Sequence, residues 1–146
     1  MAWMRSRIRL TALAGLLLAV ASGAGAQAQS GSLKDQLAGQ WQLVSISIND
    51  AAPYGTKPSG SMLLDGNGHY SIVVLSDGGA KNIAYYGTYT VDEASKTVTM
   101  HVAGGTRAKA DGHEQKHIMT LNGDQLVDDR TIGRKGSVRM TWQRGS

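Results

Sequence analysis

At 146 residues the chain has room for one domain. It contains no cysteine, which excludes disulfides, thiol catalysis, thiolate-bound metals and a lipid anchor on an N-terminal cysteine. Its 15 Lys and Arg against 11 Asp and Glu give +4, but Arg5, Arg7 and Arg9 crowd a first stretch that holds no acid.

That stretch opens the chain. An apolar run over Leu10–Ala21 follows it, then small residues in Ala24-Gly25-Ala26 and Ala26-Gln27-Ala28. A basic start, a short apolar run and an A-x-A exit are the order of a secretory signal. The run is shorter than the roughly 20 residues a bilayer span requires. The expectation is a signal peptide over residues 1–28, cut after Ala26 or Ala28, with no stable membrane anchor and a periplasmic or secreted product. Without the three leading arginines, 12 basic residues face 11 acidic ones. A nucleic-acid partner needs a basic patch on the folded domain, and that support disappears.

Ser32 can cap one short helical turn through Ala38. From there the pattern has period two, broken by turns. It predicts strands over Trp41–Ile48, Ser61–Asp65, His69–Leu75, Ala84–Val91, Thr97–Val102, Gln115–Leu121, Gln125–Arg130 and Val138–Arg144. Asp65-Gly66-Asn67-Gly68 and Asn122-Gly123-Asp124 are hairpin turns, because Gly and Asn tolerate positive φ. Short strands at regular spacing, joined without long crossovers, predict an all-β domain over residues 33–146. Its architecture is an eight-stranded antiparallel up-and-down β-barrel, whose closure removes every open edge.

Alternation predicts the inward faces. They hold Val98, Met100 and Val102; His117, Met119 and Leu121; Val138, Met140 and Trp142; and Tyr85, Gly87, Tyr89 and Val91. The first strand is ambiguous, with Trp41 and Leu43 on one face and Val44, Ile46 and Ile48 on the other. Both faces can be apolar there if a loop covers the far half.

Three segments together resemble the lipocalin-like domain family of small bacterial and fungal proteins. Leu37-Ala38-Gly39-Gln40-Trp41-Gln42-Leu43-Val44-Ser45 is similar to its opening L-x-G-x-W-x-L-V-S pattern. Pro53-Tyr54-Gly55, Gly60–Leu64 and Gly68-His69-Tyr70-Ser71 are similar to its loop, strand and hairpin. Ala84–Val91 is similar to its Y-x-G-x-Y-x-V strand, and Leu121-Asn122-Gly123-Asp124-Gln125-Leu126 is a weaker match. The resemblance covers roughly residues 35–144. It implies a barrel plugged at one end by Trp41, with a late arginine, Arg144 or Arg139, lying across the ring. Trp142 is a second candidate plug. The family's aromatic segment between the fifth and sixth strands is replaced here by the polar Gly104–Gly112, so the mouth differs.

His113-Glu114-Gln115-Lys116-His117 spells H-E-x-x-H, which binds zinc when a helix brings both histidines to one face. Here a strand follows, and in a strand positions i and i+4 stand about 13 Å apart, so no metal site is expected. His101 alternates outward, away from His117. Asp128-Asp129-Arg130 offers no adjacent pair, since neighbours on a strand face opposite ways. No cofactor is implied.

The residues expected to line a ligand site are Tyr70, Tyr85 and Tyr89, which offer a ring and a hydroxyl. Met100, Met119 and Met140 are adaptable apolar lining, and His117 is a polar contact. Each also has a plain reading as core packing or as a hydrogen-bonded structural histidine. The resulting expectation is an exported monomer that holds a small hydrophobic molecule inside the barrel. Eight strands can also be filled by their own side chains, leaving little cavity. Two alternatives stay open. One is a non-catalytic envelope scaffold acting through the loops Ser76–Asn82 and Ala103–Gly112. The other is a cavity isomerase or cyclase working through His117 and a tyrosine.

Overall fold

The computed structural model describes residues 31–107, 109, 112–134 and 136–146. The signal peptide expected over residues 1–28 lies outside the described residues. A short helix, α1 (Leu33–Leu37), leads into β1 (Gly39–Ile48), β2 (Ser59–Leu64), β3 (His69–Leu75), β4 (Asn82–Asp92), β5 (Thr97–Gly105), β6 (Glu114–Asn122), β7 (Gln125–Ile132) and β8 (Gly136–Arg144). Each strand pairs antiparallel with the next, and β8 returns to β1 to close the barrel. The all-β up-and-down expectation therefore holds, with every strand but β3 running longer than the alternation indicated. Residues 103–105 belong to β5 and not to a loop.

Turn chemistry sets the hairpins. At the β2–β3 turn, Gly68 takes φ +95°, and Asp65 and His69 close the loop through an amide-to-carbonyl bond of 2.9 Å. At the β4–β5 turn the Asp92 carboxylate accepts from the amides of Ala94 and Ser95, both at 3.0 Å. Gly87 sits where β4 shifts register against β5. A Cβ there would stand 1.9 Å from the His101 carbonyl oxygen, so the two backbones meet only over a glycine.

The ambiguity of β1 resolves through a bulge and not through a covering loop. The register against β8 shifts between Leu43 and Ser45, so one extra residue reverses the phase. Trp41 and Leu43 point inward before the shift and Ile46 after it, while Val44 is left 49% exposed.

One end of the barrel is stoppered. Ser32 and Asp35 form a capping box on α1, and the Glu93 carboxylate accepts from the amides of Leu33 and Lys34 at 2.7 and 3.2 Å. Leu37 and Trp41 are wholly buried. The Trp41 indole N–H donates to the Leu37 carbonyl at 2.8 Å. The Arg144 guanidinium lies 4.2 Å from the centre of the Trp41 ring and donates to the carbonyls of Gln36 and Ala38 at 2.7 and 3.3 Å. It thus satisfies carbonyls that the end of α1 leaves open. Its Nε stands 3.5 Å from Asp124, an ion pair beyond good hydrogen-bond geometry. Arg139 instead grips Asp129 on the outer surface at 2.7 and 3.0 Å. Trp142 fills the same half as Trp41, wholly buried.

Candidate functional site

The half of the barrel away from α1 is built differently. On β6 the period of two sends Gln115, His117 and Met119 inward, and on β7 it sends Leu126, Asp128 and Arg130 inward. The tight turn after Asn122 sets Met119 opposite Asp128. One step further, His117 reaches Asp128 diagonally, with Nδ1 2.7 Å from Oδ1. Both residues are buried, His117 at 2% exposure and Asp128 at 0%. A carboxylate only accepts, so His117 donates through Nδ1–H and its Nε2 remains free. Neither His117 Nε2, Asp128 Oδ2 nor Arg130 Nε has a hydrogen-bond partner. Buried polar atoms without partners are uncommon and call for a water or a ligand.

Arg130 donates through Nη1 to the Gln115 side-chain oxygen. It forms no ion pair among the described residues. Two tyrosine hydroxyls feel its charge. Burial pushes the Tyr70 pKa up to about 12, with the neighbouring Tyr85 adding to the rise and Arg130 opposing it. Burial also raises Tyr54, against the pull of Arg107 and Arg130. Tyr54 is buried, held over this end by the β1–β2 connection through a bond from the Asp77 amide to its carbonyl at 2.8 Å.

Tyr70, Gln115, His117 and Arg130 face a cavity of about 20 Å3, lined on its apolar side by Ile46, Ile72, Val74, Ile83, Met100 and Met140. That is room for about one water. Preformed ligand pockets usually measure roughly 300–1,000 Å3, so the barrel is largely filled by its own side chains.

The wall beside this cavity is open. The β6–β7 ladder runs from Asn122–Gln125 to Ile118–Asp129 and stops there, although β6 extends back to Glu114 and β7 on to Ile132. The two strands splay, and outside the split lies a groove of about 780 Å3. Its walls include Lys116, Ile118, Asp129, Thr131, Ile132 and Arg139. Groove and cavity share Gln115 and Arg130, so that hydrogen-bonded pair stands between them.

Of the residues singled out in the sequence, Tyr70, Tyr85, Met100, His117 and Met140 line the cavity. Tyr89 and Met119 do not. Both point inward, but they lie in the stoppered half. The Tyr89 hydroxyl donates to the Asp65 carbonyl at 2.6 Å and its ring lies under the Lys34 ammonium at 5.8 Å. Met119 is packed into the core with no exposure. His101 is exposed, and His113 and Glu114 are exposed at the start of β6. Among the described residues no group of three or more His, Asp or Glu could hold a metal.

The same barrel is seen in a redesigned β-barrel of known structure. It matches with a TM-score of 0.52 and 18% identity over 80% of this chain and 100% of that one, a likeness of fold alone. No curated protein matches the chain. The profile of the lipocalin-like domain matches residues 37–127. The chain belongs to the lipocalin-like domain family. Within this lipocalin-like domain the polar cluster was partly hidden from sequence reasoning. Asp128 and Arg130 enter the sequence reading only as neighbours, and Gln115 and Tyr54 receive no site role in it. For Asp128 and Arg130 the signal was present, since they stand two apart on one strand and share its inward face.

Proposed function

We propose that this lipocalin-like protein is exported and binds a small, mostly apolar molecule, which seats at the β6–β7 split and reaches into the half of the barrel away from α1. One observation carries the reading. Two buried polar atoms without partners, on His117 and Arg130, border an apolar-walled cavity that the Gln115–Arg130 pair separates from the groove outside the split. Because the cavity holds about one water, the ligand makes its own room by turning the Arg130 and Gln115 side chains out toward the groove. Support for export comes from the basic, apolar and small-residue order of residues 1–28.

Native mass spectrometry of protein recovered from the periplasm or medium of its own host tests both parts. The expected result is a chain that starts after Ala26 or Ala28 and carries an added small-molecule mass, released by mild denaturation. Intracellular protein with an intact N-terminus would overturn export. A bare mass, together with no binding across a panel of apolar probes, would overturn the binding reading.

A second reading, proton transfer on a bound substrate, rests on the His117–Asp128 arrangement. A carboxylate that orients Nδ1–H leaves Nε2 as a base facing the cavity. An isomerase or cyclase of this kind loses turnover in a His117→Gln variant that still binds. Equal turnover in that variant would remove the mechanism.

A further inference from the structure

We infer that the β6–β7 split takes an extended peptide segment of a partner protein, which adds a strand between the splayed ends of β6 and β7 and lies in the groove outside the Gln115–Arg130 pair. The segment stops at that pair and does not enter the cavity, so it needs none of the room that a small molecule must make there.

The site is made of backbone groups that have no strand to pair with. Antiparallel strands turn their amides and carbonyls to alternate sides. On β6 the Met119 amide donates to the Lys96 carbonyl and the His113 carbonyl accepts from the Val102 amide, both toward β5. Odd positions therefore serve β5, and Glu114, Lys116, Ile118 and Thr120 turn their groups toward β7. On β7, Thr131 stands opposite Ser137, whose amide and carbonyl are both taken by Asn49 on the β1 side. The amide and carbonyl of Thr131 therefore face β6. Ile118 and Asp129 form the last pair of the β6–β7 ladder. Glu114, Lys116 and Thr131 are thus left with one donor and one acceptor each, aimed into the split, and all three residues are exposed.

Along a strand such groups repeat every second residue, about 6.6 Å apart, a spacing that another extended backbone matches. The room agrees. A rise of about 3.3 Å, a strand spacing of about 4.8 Å and a sheet spacing of about 10 Å give an extended residue about 160 Å3. The groove of about 780 Å3 then holds about five residues. Its charges balance, with Lys116, Arg130 and Arg139 against Asp50, Glu114 and Asp129, so it selects no net charge. Ile118, at 54% exposure, and Ile132 offer apolar contacts. The segment that fits is therefore short, uncharged and rich in β-branched residues, which favour the extended form. Lys116 and Glu114 on the edge guard it against indiscriminate pairing.

Calorimetric titration and hydrogen exchange with the capped peptide acetyl-Thr-Val-Thr-Val-Thr-amide test this, beside two N-methylated forms that block its threonine amides or its valine amides. The expected result is that the parent peptide binds and slows exchange at Lys116 and Thr131 at least about tenfold, with Thr120 and Val127 unchanged. Each methylated form binds at least about tenfold more weakly, the scale of one or two backbone hydrogen bonds, because one set of amides bonds β6 and the other β7. Thr131→Pro removes a donor that no strand of the barrel uses, so the variant keeps its fold and weakens the parent peptide by a similar factor. Lys116→Pro does the same on β6 and serves if Thr131→Pro fails to fold. Equal affinity for all three peptides overturns the inference, since side chains alone would then hold them. Binding that is undiminished in a folded proline variant overturns it as well. So does an unaltered protein that neither binds the parent peptide nor slows exchange at Lys116 and Thr131, a result that leaves the small-molecule reading standing.

Discussion

His117 and Asp128 form a buried pair that a barrel core does not require. Removing one member of such a pair strands the other without a partner, at a cost of about 3–5 kcal/mol, whereas replacing both with apolar residues is often neutral or favourable. We therefore expect His117→Leu to lower stability by about 3–5 kcal/mol, and the His117→Leu/Asp128→Leu double variant to recover most of that loss while losing ligand binding. Urea unfolding of the four proteins of the cycle measures it. A double variant as unstable as the single one would make the pair a stability element. Tyr70 offers a pH readout of the same region. Its pKa is raised by burial to about 12 in the folded protein, from an ordinary value of 10.0. The stability it contributes is fully present below pH 10 and is lost as pH rises through 12. The tyrosinate absorbance of the unaltered protein, less that of Tyr70→Phe, should contain a component that appears only near pH 12. A component centred on pH 10 instead would show Tyr70 in water.

At the scale of the strands, much of the barrel was legible and its depth was not. Alternation placed Val98, Met100, Val102, Val138, Met140 and Trp142 inward because side chains on a strand change face at every step. It placed Tyr89 and Met119 inward as well. It could not say that they fall in the stoppered half, since depth along the axis follows from strand tilt and stagger. The bulge in β1 escaped for a related reason: an extra residue is visible only once the partner strand is known. Asp128 and Arg130 were within reach of the same rule that found His117. Reading Asp128-Asp129-Arg130 as neighbours, and not in steps of two, concealed them. The splay of β6 from β7 has no sequence signature, because no turn residue marks where a ladder stops. It does have a dynamic one. In a continued ladder Lys116 would stand opposite Thr131, but pairing ends at Ile118–Asp129. Hydrogen exchange should therefore be at least about tenfold faster at the amides of Lys116 and Thr131 than at those of Thr120 and Val127 in the same hairpin. Equal protection along the hairpin would mean that the split is closed in solution.

The whole molecule divides along its axis. One half is stoppered by α1, Trp41 and Arg144, with Trp142, Met62, Met119 and Leu126 packed behind them. Without a disulfide to tie the chain, this closely packed half and the closed ladder supply the stability. The other half carries the polar cluster, the small cavity and the split, features that lower local stability and make room for a ligand. The methionines mark the two halves, Met62 and Met119 in the first, Met100 and Met140 on the cavity wall. Methyl NMR of methionine-labelled protein, titrated with the apolar probes decanoate and decanol in turn, therefore reads the ligand's position directly. The Met100 and Met140 methyl signals should shift with saturation while those of Met62 and Met119 stay in place. Shifts confined to Met62 and Met119, or saturation binding that moves no methionine methyl, would contradict a ligand site in this half of the barrel.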